Sequence, residues 1–197
     1  MFRSSPEHID SYYAATSREQ QTPRPDLTES KRVDVCVVGA GFFGLYCALE
    51  LARAGKSVLV LEASRVGWGA SGRNGGQMII GFPCGMQRLK GVMGRERAKE
   101  MFDESLKAVA SMRQLMRDEQ IDCDLVEGHL EVAVLPRRVA DLTGWIEECE
   151  KEWGYHKLQF VDKATLPRYL NSDRFQAGIV DPEGAHIHPL KYVLGLA

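Results

Sequence analysis

Three glycines and an acidic residue that follows them are the strongest candidates for a binding site in this sequence. Gly39, Gly41 and Gly44 have the G-x-G-x-x-G spacing. In such a turn the first glycine permits a sharp bend, the second lets the backbone approach a diphosphate, and the third lets a helix pack closely on a strand. Glu62 lies 18 residues beyond Gly44, near the roughly 20 at which an acid accepts hydrogen bonds from an adenosine ribose. The spacing predicts a site that binds a dinucleotide.

The segments around these residues have the order that such a site requires. Residues 35–38 (VCVV) and 58–61 (VLVL) are apolar runs typical of strands in a parallel sheet. Between them, apolar residues recur at helical spacing from Leu45, and Gly55 follows as a helix-ending residue. The sequence therefore predicts a βαβ unit whose helix directs its free N–H groups and positive dipole end toward the diphosphate. The alternative is a strand–helix turn that merely contains three glycines.

A second glycine-rich stretch follows directly, over residues 64–77 (SRVGWGASGRNGGQ). Each ordered glycine gives up more backbone entropy than other residues, so we expect a backbone that must approach something closely. A nicotinamide dinucleotide does not need a second loop here, whereas a flavin dinucleotide extends well past its adenosine and does. Ser71 is a candidate helix N-cap or phosphate donor. Arg73 is a candidate counter-charge or a solvated residue, and Trp68 is expected to pack.

The strings VCVVGAGFFGL and LEASRVGWGASGRNGGQ, with SYYAA upstream, resemble the FAD-dependent oxidoreductases of the D-amino-acid-oxidase-like superfamily, and within it the γ-glutamylputrescine oxidoreductase group. The resemblance implies an α/β fold, in which a Rossmann-like FAD-binding βαβ domain is interrupted by part of an α+β substrate domain. It also implies FAD as the cofactor. The candidate cofactor-binding residues are Gly39, Gly41, Phe42, Phe43, Gly44, Glu62, Ala63, Ala70, Ser71, Arg73, Asn74, Gly75, Gly76 and Gln77.

The chain divides by composition into four parts. An arm rich in Ser, Thr, Pro, Gln and Arg precedes the βαβ unit, and a mixture of helices and short strands follows it. We interpret that mixture as the start of a substrate-facing domain inserted into the first. The predicted ranges are 1–31 for the arm, 32–93 for the FAD-binding segment, 94–174 for the start of the α+β domain and 175–197 for the return to the FAD-binding domain.

Segments outside the βαβ unit carry weaker signals. The arm is either a disordered tail or an extended segment whose Tyr12 and Tyr13 pack on the folded body. A long amphipathic helix is predicted over 94–119. A strand is predicted over 175–180, ended by a turn at 181–184 (DPEG).

Composition argues against several classes of protein. A formal net charge of −2, without a one-sided cluster of Lys and Arg, argues against a nucleic-acid binder. No apolar run is long enough for a membrane span, and the N-terminus does not resemble a signal peptide. Cys36 and Cys47 lie in the predicted buried βαβ unit, so we expect reduced thiols in a cytoplasmic protein, with Cys84 the candidate reactive thiol. His186 and His188 lack a third ligand at suitable spacing, so no metal site is predicted.

The resemblance implies oxidation of a C–N bond in a small-molecule amine or amino acid, by hydride transfer from the carbon beside the nitrogen to the flavin. No catalytic residue is identified from the sequence. The alternatives are a non-catalytic dinucleotide-binding fragment and an NAD(P)-linked dehydrogenase.

The last predicted helix reaches residues 194–197 (LGLA) without a cap or a charged final turn. Members of the family are much longer, so we expect the N-terminal half of a longer enzyme, inactive by itself. Such a chain would expose apolar surface, bind FAD weakly and self-associate through that surface.

Overall fold

The computed structural model describes residues 7–197, along which helices and strands are mixed as the α/β prediction requires. The helices are α1 (Tyr12–Thr16), α2 (Phe42–Arg53), α3 (Met86–Met93), α4 (Arg95–Asp118), α5 (Val139–Glu148) and α6 (Pro189–Gly195). The strands are β1 (Val35–Val38), β2 (Val58–Leu61), β3 (Gln77–Met78), β4 (Val126–Ala133), β5 (Gln159–Asp162) and β6 (Ala177–His186). Short 3₁₀ turns lie at Arg18–Gln20, Ala70–Gly72, Pro136–Arg138 and Leu166–Arg168, and a π-helical turn, Cys149–Trp153, continues α5.

Two compact units make up the described chain. The first holds the described residues up to Gly76 with Leu115–Leu125 and Ile187–Ala197, and the second holds Gln77–Gln114 and Val126–His186. These bounds differ from the predicted ranges, since residues 77–93 and 175–186 belong to the second unit and residues 115–125 to the first. The roles predicted for the domains stay predictions.

The predicted βαβ unit is present in the first unit. Residues 35–38 of β1 pair in parallel with residues 58–61 of β2, and α2 connects the two strands. Gly55 follows α2 with a φ of +76°, the left-handed conformation expected after a helix end. A Cβ on Gly44 would lie 2.0 Å from the carbonyl oxygen of Gly39, so only glycine lets helix and strand approach this closely.

The core of the first unit includes residues from three helices. Its buried members are Ala40, Leu45, Leu190 and Val193. Tyr13 packs against them, whereas Tyr12 is 72% exposed. Of the two alternatives left open for the arm, packing on the folded body is what the structure shows for Tyr13, although the segment around it is helical rather than extended. Ser11 is the N-cap of this helix, and its Oγ accepts a hydrogen bond from the N–H of Ala14.

The strand pair has one open face. Val38 is 85% exposed, and Cys36 on the same strand is also exposed. The expectation that Cys36 lies buried is wrong, because side chains alternate between the two faces of a strand and only one face of β1 is covered.

The second unit is built on β6, an antiparallel partner of β3, β4 and β5. The predicted turn at 181–184 is wrong, because β6 continues through it. Asp181 pairs with His129 and Ala185 with Glu127, so three residues of β6 lie opposite one residue of β4. This bulge accommodates Pro182, which has no N–H for a strand ladder.

The predicted helix over 94–119 is confirmed as α4. Its Ala98 and Phe102 are fully buried against Trp153 and Met86. Helix α3, directly before it, was not predicted. Among residues 7–197, no helix has both the length and the apolar character needed to cross a bilayer.

Candidate functional site

The first glycine turn lies where β1 ends and α2 begins. Gly41 is the residue before the helix, and the first N–H groups of any α-helix lack partners within it. The N–H of Phe42 donates to the hydroxyl oxygen of Ser71 at 2.9 Å. The turn therefore combines the positive end of a helix dipole with a hydroxyl from the second glycine loop.

Glu62 lies directly after β2 and supports the same turn. One of its carboxylate oxygens accepts from the N–H of Ala40 at 2.8 Å, and the other accepts from the N–H of Ser64 at 3.0 Å. The side chain is exposed, and an ionised carboxylate has about four acceptor positions. Glu62 can therefore hold the turn and still accept hydrogen bonds from a ligand.

The second glycine loop makes the close approach that its composition predicted, but the partner is the protein itself. A Cβ on Gly67 would lie 2.3 Å from Val193 Cγ1, and one on Gly72 would lie 2.3 Å from the Gly67 carbonyl oxygen. A Cβ on Gly76 would lie 2.0 Å from the carbonyl oxygen of Ile187. These three glycines are required by packing within the first unit.

Side chains of the loop hold its own backbone. The amide nitrogen of Asn74 donates to the carbonyl oxygens of Ala70 and Ser71, and its amide oxygen accepts from the N–H of Gly76 at 2.8 Å. Asn74 thus stabilises the loop conformation, whether or not it also contacts a ligand.

Arg73 and Trp68 form a pair. The guanidinium carbon of Arg73 lies 4.2 Å from the centroid of the Trp68 ring, in cation–π geometry. The indole N–H donates to the Glu7 carbonyl oxygen at 2.9 Å, so Trp68 packs as predicted. Burial and the Arg73 guanidinium lower the pKa of nearby His8, which favours the neutral imidazole.

Some of the predicted site residues are brought together by the structure, and the others are not. The structure brings the first turn, Glu62 and Ser71 together at the carboxyl ends of the two strands, the edge at which open α/β sheets bind ligands. Phe43 lies in the first turn of α2, and its side chain is 84% exposed. The remaining exposed members are Ala63, Ala70, Gly75 and Gln77, the last of which belongs to the second unit.

Two contributors to the site escaped prediction. The N–H groups of Ala40 and Ser64 orient Glu62. Every residue except proline has a backbone donor, so residue type carries no signal for this role. For Ala40, the position between the motif glycines Gly39 and Gly41 is the sequence signal that could have suggested this role.

Two cavities of the described chain lie away from these residues. One, of about 320 Å³, is lined in the first unit by residues that include Glu119, Asp122 and Lys191. The other, of about 300 Å³, has an apolar wall from α4 in the second unit. Neither of these two cavities is lined by a predicted cofactor residue.

The histidine pair does not share a strand face. His186 ends β6, whereas His188 is the N-cap of α6 and accepts from the N–H of Lys191. Within residues 7–197, no three His, Cys, Asp or Glu side chains are grouped to hold a metal ion.

The thiols divide into exposed and buried ones. Burial raises the pKa of Cys123 to about 11 and that of Cys149 to about 12, so neither forms a thiolate readily near neutral pH. Cys84 is exposed, and its reactivity stays a prediction.

A family model described as FAD dependent oxidoreductase (DAO) matches residues 34–197. The chain is 44% identical over 191 residues to a probable oxidoreductase, OrdL, of Haemophilus influenzae, and 40% identical over 191 residues to the γ-glutamylputrescine oxidoreductase of Escherichia coli. Each match covers 97% of this chain and 44% of the relative. The chain thus spans under half the length of these relatives, in line with the expectation of a partial enzyme.

Solved structures show the same fold. An L-amino acid deaminase from Proteus vulgaris, lacking its specific insertion sequence, matches with a TM-score of 0.68 and 21% identity over 97% of this chain and 47% of its own. A glycine oxidase from Geobacillus kaustophilus matches with a TM-score of 0.68 and 22% identity over 85% of this chain and 44% of its own.

Proposed function

The chain belongs to the DAO family of FAD-dependent oxidoreductases, and from this premise we propose that it binds FAD at the first glycine turn and the second glycine loop. The observation that carries the proposal is the set of N–H groups at the start of α2, framed by Glu62 and Ser71. Glu62 would accept hydrogen bonds from the adenosine ribose, and the turn would hold the diphosphate.

The residues present fit a diphosphate. A Cβ on Gly41 would meet only the Ser71 side chain, at 2.9 Å from its Oγ, so backbone atoms do not block that approach. The Ser71 hydroxyl now accepts from the Phe42 N–H, and a hydroxyl can rotate to donate instead. A phosphate oxygen could then accept from the freed N–H and from the hydroxyl.

We propose a small amine or amino acid as the substrate of the whole protein. Bound FAD supplies the acceptor for a hydride from the carbon beside the substrate nitrogen. Support comes from the E. coli relative, named a γ-glutamylputrescine oxidoreductase. The described residues contribute binding and orientation of the cofactor, and we assign none of them as a catalytic acid or base.

We propose a cytoplasmic location as well. All five cysteines are free, as is usual where the redox environment keeps thiols reduced.

Of the alternatives, a non-catalytic binding fragment is favoured by one observation, the 44% coverage of the relatives. The family match favours FAD over a nicotinamide cofactor.

Purification with excess FAD, followed by removal of free cofactor, tests the proposal. We expect the chain to retain visible flavin absorbance and not to bind NADH or NADPH in a parallel fluorescence titration. A chain that binds a nicotinamide cofactor and no FAD would contradict the proposal. Turnover of amines, with flavin bound, would separate an enzyme from a binding fragment.

A further inference from the structure

We propose that residues 7–17, here called the clamp, position the second glycine loop and thereby the FAD site. This inference rests on the proposed function. The clamp contains none of the predicted cofactor residues, and it reaches the loop by two routes within the first unit.

The first route joins the start of the clamp directly to the loop. The Arg65 side chain donates to both carboxylate oxygens of Glu7, with its Nε 3.2 Å from Oε2. The indole N–H of Trp68 donates to the Glu7 carbonyl oxygen at 2.9 Å. Both contacts are exposed to solvent, so we expect each to restrain the loop modestly.

The second route begins at α1 and ends on His188. The Tyr13 ring packs edge-on against the imidazole, with centroids 4.9 Å apart. His188 is 4% exposed, and its Nδ1 accepts from the Lys191 N–H at 3.1 Å. In the neutral imidazole Nε2 must then carry the proton, so it donates to Thr16 Oγ1 at 2.8 Å. The Thr16 hydroxyl in turn donates to the Tyr12 carbonyl oxygen at 2.7 Å.

His188 is the N-cap of α6, so the contacts that hold His188 also hold α6. Helix α6 in turn supports the loop. The α6 side chains Leu190 and Val193 form the surface on which the loop lies. A Cβ on Gly67 would be 2.3 Å from Val193 Cγ1, and one on Gly72 would be 3.0 Å from Leu190 Cδ1. A shift of α6 would therefore shift the loop.

The loop needs such support because of its composition. Glycine backbone has more conformations to lose than any other residue, and an unrestrained loop would lose that entropy when the cofactor binds. A loop held in place before binding avoids this cost. The clamp residues are thus positioning residues that act on affinity without touching the cofactor.

A matched pair of variants in the full chain tests the clamp. Tyr13→Ala removes the ring that packs edge-on against His188 and on the core. Tyr12→Ala removes a neighbouring ring that is 72% exposed and lies farther from the imidazole, with centroids 6.1 Å apart. We measure hydrogen exchange of amides over residues 64–76 without FAD, and then the FAD dissociation constant. For Tyr13→Ala we expect loop exchange about tenfold faster and FAD binding about tenfold weaker, with little change for Tyr12→Ala.

A second variant is included because Tyr13→Ala removes a packed ring and could prevent the first unit from folding. Thr16→Val keeps the side-chain shape and removes the hydroxyl between His188 and Tyr12, so loop exchange should rise about threefold. The amides that pair β1 with β2 in the same unit serve as the reference, because they report a general loss of its stability. Equal acceleration there, or unchanged loop exchange in both variants, would overturn the clamp. If the unmodified chain binds no FAD, the proposed function fails, while the loop exchange still decides whether the clamp exists.

Discussion

At the scale of single residues, the first turn is already partly satisfied without a ligand. Ser71 accepts from the Phe42 N–H, and Glu62 accepts from the Ala40 N–H. FAD binding at the turn would therefore exchange hydrogen bonds rather than only add them, and an exchanged bond contributes little net free energy. The specificity of the turn then depends on shape and charge, which two substitutions can separate.

Gly41→Ala tests shape. The new methyl group would lie 2.9 Å from Ser71 Oγ, on the side that the diphosphate must approach, while stability should change little because only a mobile side chain has to move. We expect FAD affinity to fall by about 1.4 to 3 kcal/mol, roughly tenfold or more, in a fluorescence titration. Gly91→Ala in α3, where the Cβ meets no atom within 4 Å, is the control. Equal affinities for Gly41→Ala and the unmodified chain would remove the first turn from the site.

Glu62→Gln tests charge. The amide keeps the shape but leaves one of the two backbone N–H groups without an acceptor and weakens any bond to a ribose hydroxyl. We expect FAD binding to weaken by about 1 to 3 kcal/mol. Glu50→Gln, which alters an exposed acid paired with Arg53 on α2, should leave the dissociation constant unchanged. If Glu62→Gln also leaves it unchanged, the acid serves only to hold the turn.

At the scale of elements, α6 is the helix on which the second glycine loop rests, and its cap is a titratable side chain. Burial of His188, then the Lys191 ammonium, lowers its pKa below the ordinary 6.5, while the Asp124 carboxylate opposes the shift. Protonation would turn the Nδ1 acceptor into a donor and break the cap. The stability of the first unit therefore depends on pH.

The sign of this dependence follows from the lowered pKa. The unfolded chain binds the proton more readily, so the stabilisation is complete above 6.5 and is lost as the pH falls toward and through the folded pKa. We expect the free energy of unfolding, measured in urea, to decrease from pH 7 to pH 5. His188→Asn keeps a cap acceptor that does not titrate and should flatten this slope.

A control for His8 is needed, because burial and the Arg73 guanidinium also lower the pKa of His8. Its contribution to the pH dependence of stability therefore has the same sign as that of His188. His8→Gln should retain the part of the slope that comes from His188. A slope that His188→Asn leaves intact would contradict the role assigned to the cap.

At the scale of the whole molecule, residues 7–197 leave several apolar side chains in solvent. The parallel sheet has two strands, and Val38 and Phe43 are 85% and 84% exposed. A two-stranded sheet is marginal by itself, and exposed apolar surface promotes association.

Val38→Lys should therefore reduce self-association. We expect the chain to show a molar mass that rises with concentration in light scattering, and the lysine to lower it by placing a charge on the open face. Val92→Lys, at a residue 78% exposed on α3, is the matched control. A chain that stays monomeric at every concentration would contradict this prediction.

The last prediction at this scale concerns catalytic turnover by the chain. Because the chain spans 44% of its relatives and we assign no catalytic residue within it, we expect no steady oxidation of amines or amino acids with excess FAD. Flavin reduction and peroxide formation, measured across a panel of substrates, check this. Steady turnover of any substrate would show that these residues build a working site.

Elements whose signals are local could be predicted from the amino-acid sequence alone. The βαβ unit, the helix end at Gly55 and the long helix α4 were all predictable, since apolar spacing, glycine conformations and caps act within a few residues. The family was predictable for the same reason, because two contiguous glycine strings carry the resemblance.

Tertiary structure decided which partner each segment meets. The glycine loop approaches α6 and Ile187, more than a hundred residues away, and no local pattern identifies that partner. Residues 181–184 have turn residues, yet the bulged pairing with β4 keeps them in a strand. Cys36 lies in an apolar run that suggested burial on both faces, but one face of its sheet is open. In each case the deciding energy is burial or pairing against distant residues, which outweighs the local preference.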